Sequence, residues 1–295
     1  MPLSRFARSG SAVALTEQYV DSHVAVVTLA DGRRGNLLGP EMLSELTSAF
    51  EASVSDPEVR AILLRSSGPD FCRGMDLSRL AESRAGHGGA EAVKVVGLYA
   101  DLLEAIFRAR VPVLCFAQGE TKAGGMGLVC ACDVVITAVG AGFEMGEVIF
   151  GLLPANVLPY LLALRVPPQK SRYLVLSSPR VTAEEALRLN IVDEVVPMES
   201  AEKRIRDILK RLLRSSPRAL ADAKSFTAEL IGKSPAEAGA LGRRKLIEML
   251  RDPDVLSGVT AFQEGGVPPW FSRFSPDHPL LPAPQSTDAR GKEGG

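Results

Sequence analysis

Two stretches of the chain carry residue types that can do chemistry through the backbone. The first is Phe71-Cys72-Arg73-Gly74-Met75-Asp76-Leu77, just after a buried apolar run. The second is Gly119-Glu120-Thr121-Lys122-Ala123-Gly124-Gly125-Met126-Gly127-Leu128, a glycine-rich turn leading into an apolar run that ends at Cys132-Asp133. A glycine turn that opens a helix leaves backbone N–H groups without intrahelical partners, aimed where an anion can sit. The same spacing suits an ordinary tight turn, so the glycines alone leave both readings open. Cys130-Ala-Cys132 invites a metal reading. Against it, His23, His87 and His278 are scattered and no second cysteine pair has zinc-finger spacing, so no metal is expected.

The elements that must position these stretches follow from periodicity. His23–Leu29 reads as a strand with Asp31-Gly32 as the turn after it. Pro40, then Met42, Leu43, Leu46 and Phe50 at helical spacing, predicts an amphipathic helix ending near Ser53. Val59–Arg65 reads as a buried strand, Ala92–Arg110 as a helix, Val111–Ala117 and Val134–Thr137 as strands. Thr182 with Glu185 forms a capping box for a helix over Ala183–Leu189, Ile191–Val196 is a short strand, and the rest to about Phe262 is mostly helical. Strands alternating with helices over the first two thirds argue for α/β architecture with parallel pairing. Residues 1–10 lack periodicity and are expected to be flexible; 11–200 form the core domain and 201–270 a helical region. Residues 271–295, rich in Pro, Gly and charge, have the composition of a disordered tail. The helical region can pack on its own core, on the first region, or on another subunit.

Composition excludes several classes. With 34 basic and 35 acidic residues among 295, no basic field exists to hold nucleic acid or an anionic membrane. The apolar stretch after Arg5 and Arg8 is too short for a signal peptide. Ile149–Leu164 is broken by Pro154, Asn156 and Pro159, short of the ~20 apolar residues of a spanning helix. Cys72, Cys115, Cys130 and Cys132 lie in apolar surroundings and read as reduced thiols of a cytoplasmic protein.

Taken together and in order, the two stretches and Phe143-Glu144-Met145-Gly146-Glu147-Val148-Ile149-Phe150-Gly151-Leu152-Leu153-Pro154 resemble the crotonase (enoyl-CoA hydratase/isomerase) superfamily. Its pattern is an F-x-x-G-x-D-[LI] loop, a G-G-G-x-E-L-x-x-x-C-D helix start, then F-x-x-P-E-x-x-x-G-x-x-P. The likeness continues through Gln169–Leu176, Thr182–Val196 and Ser216–Glu229, covering about Val24 to Phe262. It implies a crotonase (ClpP/crotonase-like) spiral of ββα units with a C-terminal helical region over 201–270 that trimerises, giving homotrimers or hexamers.

The family's oxyanion hole is made of two backbone amides, which the resemblance places on Met75 and Gly124. Hydratases of the family use two glutamates. The first aligns with Gly127 and is absent; the second aligns with Glu147 and is present, which makes it the expected catalytic acid/base. Glu144 is read as flanking. Preorganised oxyanion donors are worth ~3–4 kcal/mol each, and a positioned carboxylate adds about 10²–10⁴ in rate. Thr121–Leu128, Glu147–Pro159 and Gln169–Tyr173 look closest to the dehydratases of polyketide β-branching cassettes, which pair A-G-G-x-G with a lone Glu. That likeness implies dehydration of 3-hydroxy-3-methylglutaryl to 3-methylglutaconyl on the phosphopantetheine of an acyl carrier protein; the alternative is an enoyl isomerase, hydratase or other lyase on acyl-CoA. The companion decarboxylases, which usually lack this glutamate, match less well. Family members that handle CoA often carry a cation where this chain has Glu264–Trp270. Substrate contacts are expected from Arg73 to the pantetheine phosphate or the carrier, from Lys122 to a distal carboxylate, and from Asp76 and Gly125; no cofactor is implied.

Overall fold

A computed structural model describes residues 15–76 and 88–282. The expectations for residues 1–10, for Leu77 and for residues 283–295 lie outside the described residues.

A hairpin opens the chain. Strands β1 (Thr16–Asp21) and β2 (Val24–Leu29) pair antiparallel, with Tyr19 opposite Val26. The two residues between them, Ser22 and His23, are both left-handed, at φ 51° and 68°. That backbone matches the twist of a two-residue hairpin. β1 was not foreseen, because its side chains are mostly half-buried and polar.

Helix α1 (Pro40–Ser55) buries Met42, Leu43, Leu46 and Phe50, the stripe predicted, and its first residue is the proline. β3 (Ala61–Ser66), β4 (Val113–Ala117), β6 (Val134–Ala138) and β9 (Glu194–Val196) join β2 in parallel, giving a six-stranded sheet in the order β1-β2-β3-β4-β6-β9. Helix α2 (Gly88–Arg108) replaces the expected Ala92–Arg110. Each central strand is buried on both faces, which is why it reads as an unbroken apolar run.

Alternate residues divide between two cores. Ala25, Val27, Ile62, Leu64 and Cys115 meet α1, α2 and the glycine-led helix α3 (Gly124–Ala131) on one face. Val24, Val26, Leu63, Leu114 and Phe116 meet Ala201, Ile205, Leu209 and Leu213 on the other. Those four, spaced i+4, form the inner stripe of a long helix, Met198–Arg214. Burying each leucine contributes about 1.5–3 kcal/mol. The helical region thus divides: Met198–Arg214 packs on the sheet, whereas of helices Pro217–Leu230, Pro235–Met249 and Pro253–Gln263 only Gly258 is buried.

Part of the chain expected to be a loose tail is packed instead. Phe274, Leu280 and Leu281 are buried against the second core. Glu202 accepts from the N–H groups of Leu280 and Leu281 at 2.9 and 2.8 Å, and Arg65 donates to the Leu280 carbonyl. Arg60 holds the carbonyls of Trp270 and Ser215. These partners lie far away in sequence, so composition alone could not show them.

A second, small sheet carries the site. β5 (Glu120–Lys122) pairs parallel with β7 (Gly142–Glu144), which pairs antiparallel with β8 (Val181–Thr182). Single bridges extend it on the far side, from Cys72 to Thr121 and from Leu38 to Met75.

Candidate active site

The direction of the Met75 amide follows from its neighbours. Leu38 N–H donates to the Gly74 carbonyl at 2.8 Å, and Asp76 N–H donates to the Leu38 carbonyl at 3.2 Å. In a trans peptide the N–H points opposite to the C=O. With the Gly74 carbonyl turned to Leu38, the Met75 N–H points away from Leu38. Gly74 lies on the same side as the glycine turn: a Cβ there would meet the Lys122 carbonyl and the Ala123 Cβ at 3.0 Å and the Gly124 nitrogen at 3.4 Å. Its φ of 93° admits glycine readily and other residues only with strain.

Gly124 is directed by the same rule. Ala123 N–H donates to the Glu144 carbonyl at 2.9 Å and the Ala123 carbonyl accepts from Met126 N–H at 2.9 Å. The Gly124 N–H therefore points out of the helix start, where the dipole favours negative charge. Ala123 itself sits at φ 46°, ψ −112°, a strained conformation for a residue with a side chain, held by those two bonds. Neither the Met75 nor the Gly124 N–H has an acceptor among the described residues. The two sequence stretches thus meet at one place, with two free amides beside each other.

Glu147 arrives from the third stretch. β7 runs beside β5 with Glu144 opposite Lys122, so the chain after β7 emerges next to the glycine turn. A short 3-10 turn then begins at Glu147. The carboxylate is half-buried, and its Oε2 is shut off from solvent with no hydrogen-bond partner. Burial pushes its pKa above the ordinary 4.5, opposed in part by a hydrogen bond from its own amide. A desolvated, unpaired carboxylate is a strong base toward a weak carbon acid and retains the proton it gains.

The other expected contacts are accounted for as follows. Lys122 is paired with Glu144 at 3.0 Å and stands 3.7 Å from Glu120, so two carboxylates already hold it. Glu144, read as flanking, is the carboxylate closest to the Lys122 ammonium. Arg73 is exposed and paired with Asp70 at 2.7 Å, its stem lying against Gly35. Asp76 is buried and accepts from Arg34 at 2.8 Å. Gly125 is a close-approach residue, since a Cβ there would stand 2.6 Å from the Cys72 carbonyl. All four cysteines are free and buried, with burial pushing Cys72 and Cys130 up to about 12, and no group of His, Cys, Asp and Glu among the described residues suits a metal.

One residue escaped the sequence reading. Tyr99 of α2 is buried, and its hydroxyl donates to the Gly124 carbonyl at 2.6 Å. Nothing in the local pattern around Tyr99 distinguishes it from a core aromatic.

Comparisons with known proteins give the family and the fold. The family model described as enoyl-CoA hydratase/isomerase matches residues 20–273. A Rhodobacter capsulatus protein named "Probable enoyl-CoA hydratase" is 33% identical over 258 residues, covering 86% of this chain and 96% of its own. The carnitinyl-CoA dehydratase of Salmonella typhi is 30% identical over 249 residues, covering 82% and 93%. The crystal structure of an enoyl-CoA hydratase from Mycobacterium smegmatis superposes with a TM-score of 0.79 at 28% identity, covering 87% of this chain and 98% of that one. The expected crotonase fold with C-terminal helices is the one observed, and the chain belongs to the enoyl-CoA hydratase/isomerase family.

Proposed function

We propose that this crotonase-family hydro-lyase moves water out of or into an acyl-CoA thioester with one carboxylate, Glu147, as its proton carrier. In the dehydrating direction Glu147 takes the proton from the carbon next to the thioester carbonyl. The electron pair moves into the enolate, whose oxygen lies between the N–H groups of Met75 and Gly124. The enolate then reforms the carbonyl, the C–O bond at the β-carbon breaks, and the departing hydroxyl takes the proton back from Glu147 as water. One base serving both steps requires proton and hydroxyl on the same face. The buried, unpartnered Oε2 of Glu147, three residues after the end of β7, whose partner β5 leads into the turn at Gly124, carries this reading. CoA as the carrier follows the relatives, named "Probable enoyl-CoA hydratase" and carnitinyl-CoA dehydratase.

A second reading keeps the chemistry and changes the substrate to 3-hydroxy-3-methylglutaryl on an acyl carrier protein. It is favoured by the runs Thr121–Leu128 and Glu147–Pro159 and by the lack of a cation over Glu264–Trp270. In both, exposed Arg73 meets the pantetheine phosphate. The apolar faces left open on the last helices, including Leu246, Leu250, Leu256 and Phe262, pack on second copies in a trimer or hexamer.

The test is a comparison of kcat/KM for hydroxyacyl and enoyl thioesters on CoA and on a carrier protein. Higher turnover on CoA supports the first reading and higher turnover on the carrier the second. Turnover of neither, by a folded protein, overturns both.

A further inference from the structure

Helix α3 begins with an unfavourable sequence. Gly124, Gly125 and Gly127 place three glycines in its first four residues, and each weakens a helix by about 1 kcal/mol relative to alanine. The first turn is also the part that must hold the Gly124 amide still. What each glycine makes room for explains the choice. A Cβ on Gly125 would enter the Cys72 carbonyl, and a Cβ on Gly124 would crowd Leu38 and Met75 at 3.0 and 3.4 Å. A Cβ on Gly127 would stand 1.9 Å from the Tyr99 hydroxyl, 3.0 Å from its Cζ and 3.1 Å from Leu103. No side chain at 127 can coexist with Tyr99 where it lies.

We propose that Tyr99 is a positioning residue of the site: its hydroxyl, seated in the space left open by Gly127, clamps the first turn of α3 and with it the Gly124 amide.

The clamp acts on the residue whose freedom matters most. Gly124 has no side chain to anchor it, and its C=O and N–H flank one Cα. Fixing the carbonyl from the α2 side, at 2.6 Å, fixes the local backbone that aims the N–H. Tyr99 is buried, so the bond is made out of competition with water. Burial, and after it the nearby Cys72, Cys130 and Glu147, push its hydroxyl well above the ordinary phenol range. It therefore stays protonated and remains a donor. The Glu147 influence also places this phenol in the same water-poor neighbourhood as the proposed base. The position that would otherwise offer a second side chain to the bound acyl group is thus occupied by a neutral hydroxyl already committed to the backbone.

The inference rests on Gly124 being an oxyanion donor, and two readouts separate its failure from the failure of that reading. Tyr99→Phe removes the hydroxyl and keeps the ring. With a substrate that the parent turns over, kcat should fall about tenfold or more at nearly unchanged KM, because a misaimed oxyanion donor is lost mainly in the transition state. Independently of any substrate, amide hydrogen exchange in the first turn of α3, read at Leu128, should quicken about tenfold. Faster exchange without a kcat effect would leave the clamp but remove Gly124 from catalysis. Unchanged exchange would overturn the clamp whatever the kinetics.

A second pair of variants checks the space itself. Gly127→Ala should lower Tm sharply in the parent and much less in the Tyr99→Phe background, where the atom at 1.9 Å is gone. Equal loss in both backgrounds would show that Tyr99 does not fill the place of a side chain at 127.

Discussion

Gly74 and Gly124 lie so close that a side chain on the first would touch the backbone nitrogen of the second, at 3.4 Å from its Cβ. Gly74→Ala therefore crowds the site while leaving both donor N–H groups in the chain. At φ 93° alanine is strained by about 1–2 kcal/mol, and its Cβ presses on Ala123 and Lys122. Activity should fall by a decade or more while the protein still folds, as judged by circular dichroism and Tm.

Replacing Met75 should behave in the opposite way, because the proposed mechanism uses only its amide. Met75→Leu should change kcat less than threefold or so. Gly124→Pro deletes a donor and should cost about 10²–10³ in kcat. A properly folded Gly124→Pro variant with near-normal turnover would remove that amide from the mechanism.

Glu147→Gln should reduce kcat by about 10² or more with substrate affinity retained. The parent should also lose activity in acid, along a limb lying above 4.5, because burial raises the pKa of Glu147 and the base must be ionised. That limb should be missing from the residual activity of the variant.

The same shift has a stability consequence. A folded-state pKa above the unfolded one means that the protonated form favours folding. This benefit is complete below 4.5 and is lost as pH rises through the folded value. At neutral pH the charged, desolvated carboxylate is a liability. Glu147→Gln should therefore melt above the parent at pH 7, with the gap closing in acid; a lower Tm for the variant at pH 7 would contradict the burial of this group.

The C-terminal strap is predicted to be part of the fold. Leu280 is fully buried against the sheet, so Leu280→Ala should cost about 2–5 kcal/mol in chemical denaturation. Below the transition, turnover should be nearly normal, since the strap lies on the other face of the sheet from α3.

The sequence by itself determined the elements whose signal is local. The apolar runs of β2, β3, β4 and β6, the Met42–Phe50 stripe and the Thr182–Glu185 capping box are each legible within a few residues, because burial and capping impose a period or a fixed offset. The order of the three motif stretches was enough to indicate the family and the candidates Met75, Gly124 and Glu147. Tertiary structure decided what depends on partners distant in sequence. The three-residue strands β5 and β7 are too short to carry a pattern, yet their pairing puts Glu147 beside the glycine turn and draws Lys122 to Glu144. Residues 271–282 look like a tail until Arg60 is found bonded to Ser272, and Arg65 and Glu202 to Leu280. Gly127 reads as a missing acid in the sequence; only the packing of α2 on α3 shows that Tyr99 occupies its place, because a glycine records the need for space and not which residue fills it.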